Sequence, residues 1–288
     1  MTTTSPLDGQ IEQAARIIRE GGLVAFPTET VYGLGANALD EAAVERIFAA
    51  KGRPASSPLI VHAADTAMAR ALVSDWPPLA EKLANAHWPG PLTLVLPKAA
   101  HVPDRVTAGL PTVGVRVPDH PIALALIRAA GVPIAAPSAN RFTQLSPTET
   151  AHLDAALADY VIDGGPSRVG IESTVVSLAG DRPVLLRPGV LAIDGLDSYA
   201  VPANGAHPSP GMHPKHYAPR TRLVLGEPPP QGHGHVLVLP SDPRIAAAEL
   251  YATLHKLDRM HYDWIAVALP PDTPAWAGVR DRLQRAAS

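Results

Sequence analysis

Residues 51–62, KGRPASSPLIVH, place the cations Lys51 and Arg53 in a stretch without an acidic residue. Pro54 and Pro58 stiffen this stretch, because a proline ring fixes its own backbone φ angle. Fixed cations are the groups that stabilise negative charge on phosphate oxygens during phosphorus chemistry. We therefore predict a loop that faces phosphate. The alternative is that Lys51 only complements the negative end of the dipole of a preceding helix.

The elements around this loop follow from capping residues and apolar spacing. Asp40 is a typical helix N-cap and Gly52 a typical C-terminal stop, so we predict a helix that ends at Lys51. Residues 59–61 are apolar and predict a buried strand that ends at His62. His62 is then either a substrate contact or a buried histidine that is satisfied by backbone partners.

A second group of polar residues lies in residues 21–35, GGLVAFPTETVYGLG, where a short apolar strand runs into hydroxyl and carboxyl side chains around Thr30. Residues 33–38, GLGANA, match the dinucleotide-binding fingerprint with Ala at its last position. That fingerprint requires a helix directly on the glycines and an acidic residue at the end of the next strand. Here the helix is predicted to start near Asp40 and the next strand to end at His62, so we reject the interpretation.

Two further positions have a structural interpretation of their own. The alternation in residues 112–117 predicts a strand with Thr112 and Arg116 on one face, where Arg116 could simply be a surface cation. Ser146 opens the sequence SPTE, a capping-box pattern with Pro at the first helical position. We therefore predict a helix that Ser146 caps.

The composition is that of an ordinary globular protein. The chain has 288 residues, of which 46% are hydrophobic and 18% charged, so it can form one or two domains with a sizeable core. A formal net charge of -3 and 5% aromatic residues argue against an extensive nucleic-acid surface. The absence of cysteine excludes disulfides, thiolate metal sites and a cysteine nucleophile. We recognise no secretory signal or membrane span and expect a cytoplasmic protein.

The succession of strands and helices predicts an α/β fold in two parts. Residues 1–197 form the first domain, whose strand order cannot be derived from the sequence. Residues 198–221 lose apolar periodicity and are rich in Pro, Gly, Ala and His, which indicates a linker. Residues 222–288 predict a small α/β domain that must lean on the first domain or on the linker. The linker exceeds the ~12–15 residues of an ordinary connection, and we hypothesise that it is a lid; the alternative is an ordinary interdomain tether.

A set of motifs carries a resemblance to a known family: PTETVYGLG, KGRPASSPLIVH, HWPGPLTLVLP, TVGVRVPDHP, APSAN, ESTVV, LLRPG and SPGMHPKHYAP. Their order and spacing resemble those of the threonylcarbamoyl-AMP synthases, YrdC-like enzymes of tRNA modification, in the long form with a C-terminal extension. The resemblance covers nearly the whole chain. It implies an open twisted sheet with flanking helices, followed by a smaller C-terminal α/β domain.

The resemblance also implies a reaction. A nucleotidyltransferase of this family joins L-threonine, bicarbonate and ATP into L-threonylcarbamoyladenylate and releases pyrophosphate, with Mg²⁺ arriving on ATP. The product would pass to a tRNA threonylcarbamoyl-transfer complex, with at most weak tRNA contact by this chain. No protein nucleophile is needed, and His62 is only a candidate for a base. We expect no metal site made by the protein, because His213 with His216, and His233 with His235, lack flanking acids.

The matching motif positions imply roles for individual residues. Lys51 and Arg53 would stabilise charge during the transfer. The implied ATP contacts are Lys51, Arg53, Ser57, Thr112, Ser138, Ser146, Arg187 and Tyr217. The implied threonine contacts are Thr30, His62, Arg116, Ser173 and Ala136, the last through its backbone. Two departures from the family pattern are the sequence RFTQ at residues 141–144 and Ser57 in place of a more usual Asn.

Three alternatives belong to other functional classes. The chain could be an RNA-binding YrdC-like module without adenylate synthesis of its own, which its net charge and low aromatic content oppose. It could transfer carbamoyl groups in hydrogenase maturation, but the large enzymes of that pathway carry cysteine zinc fingers and this chain has no cysteine. The third is a dinucleotide-dependent reductase, which would change NADH fluorescence on mixing.

Overall fold

The structure is a computed structural model that describes residues 6–198 and 216–287. The helices are α1 (Pro6–Arg19), α2 (Glu41–Lys51), α3 (Thr66–Ala71), α4 (Pro78–His87), α5 (Asp104–Thr107), α6 (Pro121–Ala130), α7 (Pro243–Asp258) and α8 (Ala277–Ala286). The strands are β1 (Val24–Phe26), β2 (Gly33–Asn37), β3 (Ile60–His62), β4 (Leu92–Pro97), β5 (Thr112–Arg116), β6 (Ile134–Ala135), β7 (Tyr160–Val161), β8 (Thr174–Ser177), β9 (Val184–Arg187), β10 (Asp197–Ser198), β11 (Arg222–Leu225), β12 (Gly234–Leu237) and β13 (Trp264–Val267).

The first part of the chain forms a ten-stranded mixed sheet in the order β10-β9-β8-β4-β5-β3-β6-β2-β1-β7. Successive side chains of a strand point to opposite faces, and β1 shows what each face packs against. Val24 and Phe26 belong to a core cluster with residues of α1 and α6, whereas Ala25 belongs to the cluster that contains Val44 and Ile47 of α2. Helices therefore cover this sheet on both faces.

Local signals define helix α2, which brings Lys51 to the site. The Asp40 carboxylate accepts hydrogen bonds from the backbone N–H groups of Ala42 and Ala43. Gly52 ends the helix at a φ of 62°, in the left-handed region that glycine enters without steric cost. The predicted boundaries of this helix are confirmed.

The C-terminal part forms a three-stranded parallel sheet in the order β11-β13-β12, with α7 and α8 packed on it. Its core cluster includes Leu250, Leu254 and Leu283, and it also takes in Val31 and Ile171 from the first part of the chain. The small domain thus leans on the large one, as its size led us to expect. The predicted fold class, an open α/β sheet with flanking helices plus a smaller α/β domain, is confirmed.

The structure contradicts the helix predicted at Ser146 and agrees with the rejection of a dinucleotide-binding site. No helix begins at Ser146, because its hydroxyl hydrogen-bonds to the Glu172 carboxylate instead of capping, and only a short 3-10 turn follows at Thr150–His152. The capping-box prediction is therefore wrong. Gly33 and Gly35 lie inside β2 rather than in a loop before a helix, which agrees with our rejection of a dinucleotide site.

The boundaries at residues 197 and 221 stay predictions, since most of the proposed linker, including His213 and Lys215, lies outside the described residues. Within the described ranges, no helix combines the length and apolar character needed to cross a bilayer.

Candidate active site

Most of the predicted site residues line one cavity. The register pairs His62 of β3 with Arg116 of β5, so two distant motifs become neighbours at the ends of adjacent parallel strands. Nine of the residues assigned from the sequence line this cavity: Thr30, Arg53, His62, Arg116, Ala136, Ser138, Ser173, Arg187 and Tyr217. Its volume is only ≈ 50 Å³, far below the ~300–1,000 Å³ of typical ligand pockets.

One wall of the cavity is cationic. Arg53 is 7% exposed, and its guanidinium donates to the backbone oxygen of Pro58 at 3.1 Å. Burial lowers the pKa of Arg53 to about 10, and Arg187 lowers it further while Tyr217 opposes this. Burial, and then Arg53, lowers the pKa of Lys51 well below its ordinary value. A bound polyanion would offset the free-energy cost of burying Arg53 and Lys51, because its negative charge would compensate these desolvated cations.

Lys51 lies behind this wall rather than on it. Its ammonium donates to the backbone oxygen of Ser138 at 2.6 Å and to that of Asn140. Lys51 thereby fixes the loop that carries Ser138, and Ser138 itself lines the cavity. The dipole alternative is not the whole explanation for Lys51, because its ammonium reaches across to a loop 87 residues away in sequence.

A second wall is polar, and its side chains are held by an ion pair and hydrogen bonds. Arg116 is 3% exposed, so it is not a surface cation, and it forms a 2.6 Å ion pair with the fully buried Glu29. The same guanidinium donates to Thr30 Oγ1 at 3.0 Å and to the Gly90 backbone oxygen at 3.2 Å. Thr30 Oγ1 in turn lies 2.8 Å from Thr28 Oγ1. These contacts hold a forked cation in one orientation, which suits recognition of a carboxylate.

His62 is buried beside Arg116. Burial, and then the charge of Arg116, lowers the pKa of His62 to about 3. The imidazole is therefore neutral near pH 7 and is a weak base. This property favours a hydrogen-bonding role for His62 over proton abstraction.

Ser173 and Arg187 of the cavity lining are hydrogen-bonded to each other. Arg187 donates to the backbone oxygen of Ser173 and to its hydroxyl, each at 3.1 Å. The Ser173 hydroxyl also lies 2.8 Å from Thr93 Oγ1. Arg187 reaches the Tyr217 hydroxyl at 3.5 Å. The result is one continuous set of polar contacts from β8 to the end of the predicted linker.

Tyr217 lines the cavity from the end of the predicted linker. It is 1% exposed and has a φ of 60°, which is uncommon for a residue other than glycine. The neighbouring backbone is docked, since Ala218 N–H donates to the Thr143 oxygen at 2.9 Å. Burial, and then the charge of Glu172, raises the pKa of the Tyr217 phenol. Tyr217 is therefore a neutral hydrogen-bonding group in the lining of the site.

The remaining assigned residues lie off the cavity lining. Ser57 supports Arg53 by accepting from its Nε through the backbone oxygen, and the Ser146 hydroxyl contacts Glu172. Thr112 is at the start of β5, about 13 Å along the strand from Arg116 at the usual rise per residue. The contact of Thr112 with ATP therefore stays a prediction, and the position of Thr112 in β5 does not support it further.

Sequence reasoning missed seven lining residues, which are Thr28, Val31, Gly33, Ile60, Pro137, Glu172 and His216. Glu172 had a signal, because it is a lone carboxylate between apolar residues and directly precedes Ser173. Glu29, which pairs with Arg116, had a similar signal as the one acid of PTETVYGLG. A buried acid in an apolar context requires a cationic partner, which the sequence alone does not identify.

A protein metal centre is not found in the part of the chain that the structure describes, where no group of three or more His, Cys, Asp or Glu residues could hold an ion. The two acids beside the cavity are already engaged, Glu29 with Arg116 and Glu172 with Arg282.

The fold and the cavity define an α/β protein whose buried cations could hold a small polyanion beside a carboxylate-bearing molecule. Residues 16–189 match a family model described as Telomere recombination, and residues 184–288 match one described as Threonylcarbamoyl-AMP synthase, C-terminal domain. A threonylcarbamoyl-AMP synthase of Bacillus subtilis is 43% identical over 97% of this chain and 93% of its own length. The chain belongs to the threonylcarbamoyl-AMP synthase family, which confirms the resemblance.

Two comparisons with an archaeal relative agree with this. A threonylcarbamoyl-AMP synthase of Pyrococcus abyssi is 50% identical over 76% of this chain and 68% of its own length. The crystal structure of P. abyssi Sua5 complexed with L-threonine has a TM-score of 0.90 at 41% identity, covering 96% of this chain and 94% of that one. The chain is thus similar to enzymes along nearly its whole length.

Proposed function

We propose that this chain is a nucleotidyltransferase that makes L-threonylcarbamoyladenylate from L-threonine, bicarbonate and ATP and releases pyrophosphate. The observation that carries the proposal is that one cavity joins a wall of buried cations, Arg53 and Arg187, to the oriented guanidinium of Arg116. The first wall suits a triphosphate and the second suits an amino-acid carboxylate. Family membership and a relative that is complexed with L-threonine support both assignments.

The chemistry needs positioning more than covalent help. Bicarbonate gives CO₂ by losing hydroxide, and the threonine amine attacks the carbon of that CO₂. The amine proton combines with the hydroxide to give water as the carbamate forms. A carbamate oxygen then attacks the α-phosphorus of ATP, and the bond from that phosphorus to the bridging oxygen of pyrophosphate breaks. Arg53 and Arg187, with Lys51 fixing the loop of Ser138, would stabilise the charge that moves onto the leaving pyrophosphate.

The wall that contains Arg116 indicates where threonine would bind. Arg116 would bind the threonine carboxylate, with Thr30, His62, Ser173 and the backbone of Ala136 around the rest of the molecule. ATP would contact Lys51, Arg53, Ser57, Thr112, Ser138, Ser146, Arg187 and Tyr217. Mg²⁺ bound to ATP would neutralise phosphate charge, and the triphosphate would hold it because the neighbouring carboxylates are paired.

The end of the predicted linker supports the lid hypothesis. Tyr217 is buried in a cavity that is too small for a nucleotide, so substrate entry requires this segment to move outward. We propose that residues 198–221 act as a lid that shields the carbamate and the mixed anhydride from water.

The cellular role follows from the product. We propose that the adenylate is passed in the cytoplasm to a tRNA threonylcarbamoyl-transfer complex, for the N6-threonylcarbamoyladenosine modification of tRNA. The alternative function, an RNA-binding module without its own synthesis, predicts salt-dependent tRNA binding and no turnover of ATP.

Pyrophosphate release separates these functions. We expect release from ATP only when L-threonine and bicarbonate are both present, together with incorporation of labelled bicarbonate into an adenylate. D-threonine serves as the control for stereospecific recognition of threonine. Release that does not depend on threonine would contradict the proposal.

A further inference from the structure

Glu172 is the buried carboxylate where the two domains meet at the cavity. It lines the cavity directly before Ser173, and its side chain is 8% exposed. Ser146 donates to one of its oxygens, and Tyr251 of α7 donates to the other at 3.1 Å. Arg282 of α8 donates to that second oxygen at 2.7 Å. Two of these three donors come from the C-terminal domain.

Arg282 does more than neutralise Glu172. It is 1% exposed and donates to the backbone oxygens of Pro188, at 3.0 Å, and of Glu172, at 3.3 Å. Its guanidinium carbon also lies 5.1 Å from the centre of the Tyr217 ring, in a cation–π arrangement. One side chain of the last helix therefore contacts both the segment just before β8, next to Ser173, and Tyr217 of the cavity lining.

The backbone of α8 is placed to make these contacts. Gly278 lies one turn before Arg282 on the same helix face, and it packs on the loop that contains Gly189. A Cβ atom at position 278 would lie 2.5 Å from the Gly189 backbone oxygen, so only glycine permits this approach. This close packing brings α8 against the first domain one turn before Arg282.

The electrostatics agree with this geometry. Burial would raise the pKa of Glu172, but Arg282 and then Arg187 outweigh burial and hold that pKa below its ordinary value. The carboxylate is therefore charged at pH 7. An uncompensated carboxylate beside a triphosphate site would repel the substrate, so the site requires the cation that α8 supplies.

We propose that Arg282 is a positioning residue of the active site: it fixes Glu172 and the Tyr217 ring, and through them completes the nucleotide side of the cavity. The C-terminal domain is then part of the site and not only an anchor for the linker. The inference rests on the proposed function for the identity of the nucleotide as ATP.

The test compares Arg282→Lys, Arg282→Met and the double variant Glu172→Gln with Arg282→Met. Arg280→Met is the matched control, since Arg280 is on the same helix but pairs with the 89% exposed Asp272. Binding of α,β-methylene-ATP and of L-threonine is measured separately by titration calorimetry, beside the thermal midpoint of each variant.

We expect Arg282→Met to weaken nucleotide binding by about tenfold or more, and to change threonine binding less. Lysine should rescue nucleotide binding only in part, because it cannot contact Glu172, Pro188 and the ring together. The double variant should regain thermal stability, since it removes the unpaired buried charge, without regaining nucleotide affinity.

Two results would overturn the inference. One is nucleotide affinity that returns with stability in the double variant, which would make Arg282 a purely structural residue. The other is an equal loss of affinity in Arg280→Met. These binding results are independent of turnover, so a wild-type chain that binds nucleotide but releases no pyrophosphate would contradict the proposed function and leave the role of Arg282 standing.

Discussion

At the scale of single residues, the site consists of charges that are fixed before substrate binds. Arg116 has its counter-ion in Glu29 and two further acceptors in Thr30 and Gly90, all within 3.2 Å. Arg53 and Lys51 instead donate to backbone oxygens and have lowered pKa values because they are buried. Arg116 is therefore oriented to bind a carboxylate. The desolvated charges of Arg53 and Lys51 would instead be stabilised most by a bound polyanion.

Arg116→Lys tests the first assignment. A lysine ammonium cannot reach Glu29 and also offer two prongs to a substrate carboxylate, so we expect the KM for threonine to rise by about tenfold or more. The KM for ATP should change little. Steady-state pyrophosphate release with each substrate varied measures both values.

Arg46→Lys is the matched control for this change. Arg46 also pairs with a carboxylate, Asp159, at 2.9 Å, but both side chains are nearly half exposed. An exposed pair contributes little, so this variant should behave as wild type. Equal threonine KM values for Arg116→Lys and wild type would remove Arg116 from the threonine site.

At the scale of elements, what could be predicted depends on whether the determining contacts are local. Helix α2 was predictable because Asp40 and Gly52 act within a few residues of the helix ends. Ser146 was misassigned because its hydroxyl partner, Glu172, lies 26 residues away. The strand order was not predictable, since β3 lies between β5 and β6 through pairings that no local pattern encodes.

The same distinction between local and long-range contacts applies to the residues of the candidate site. Cations and hydroxyls such as Arg53, Arg116 and Ser173 were recognisable by type and motif. The residues that hold them, Glu29 and Arg282, were not, because a partner is defined by three-dimensional proximity alone. Long-range packing therefore contributes the part of the site that the motifs leave unassigned.

Gly35→Ala tests why β2 contains glycine. A Cβ at this position would lie 2.7 Å from both Ile134 Cγ2 and Phe26 Cε1 in the core. We expect a loss of about 1–3 kcal/mol in the free energy of unfolding, typical of overpacking. Urea denaturation measures it, with Gly180→Ala as the control because a Cβ there meets nothing within 4 Å. An unchanged free energy would mean that β2 relaxes without cost.

At the scale of the whole molecule, the two domains share polar as well as apolar contacts. Leu145 of the first domain belongs to the core cluster of the second, and Arg282 binds the first domain from α8. A further contact is the stack of His152 on His255 of α7, with ring centres 3.9 Å apart. The His255 Nε2 lies 3.1 Å from the Ser146 backbone oxygen, which requires the neutral ring to carry its proton there.

This stack should make the stability of the whole chain depend on pH. Burial, followed by Arg259 for His152 and by His152 for His255, lowers the pKa of each ring to about 4, against 6.5 for an ordinary histidine. The unfolded chain therefore binds more protons than the folded chain between these two values. The stabilisation is complete above about pH 6.5 and is lost as the pH falls through about 4.

His255→Gln tests this dependence, because glutamine keeps an N–H donor toward Ser146 but does not titrate. We expect lower stability than wild type at pH 7.5 and a shallower fall in the unfolding midpoint between pH 7 and 5. That window lies above the titration of Glu172, whose lowered pKa makes its own contribution disappear only at more acidic pH. His101→Gln, at an exposed position, is the control and should keep the slope of wild type. A slope for His255→Gln as steep as that of wild type would show that the stack does not couple protons to the joining of the two domains.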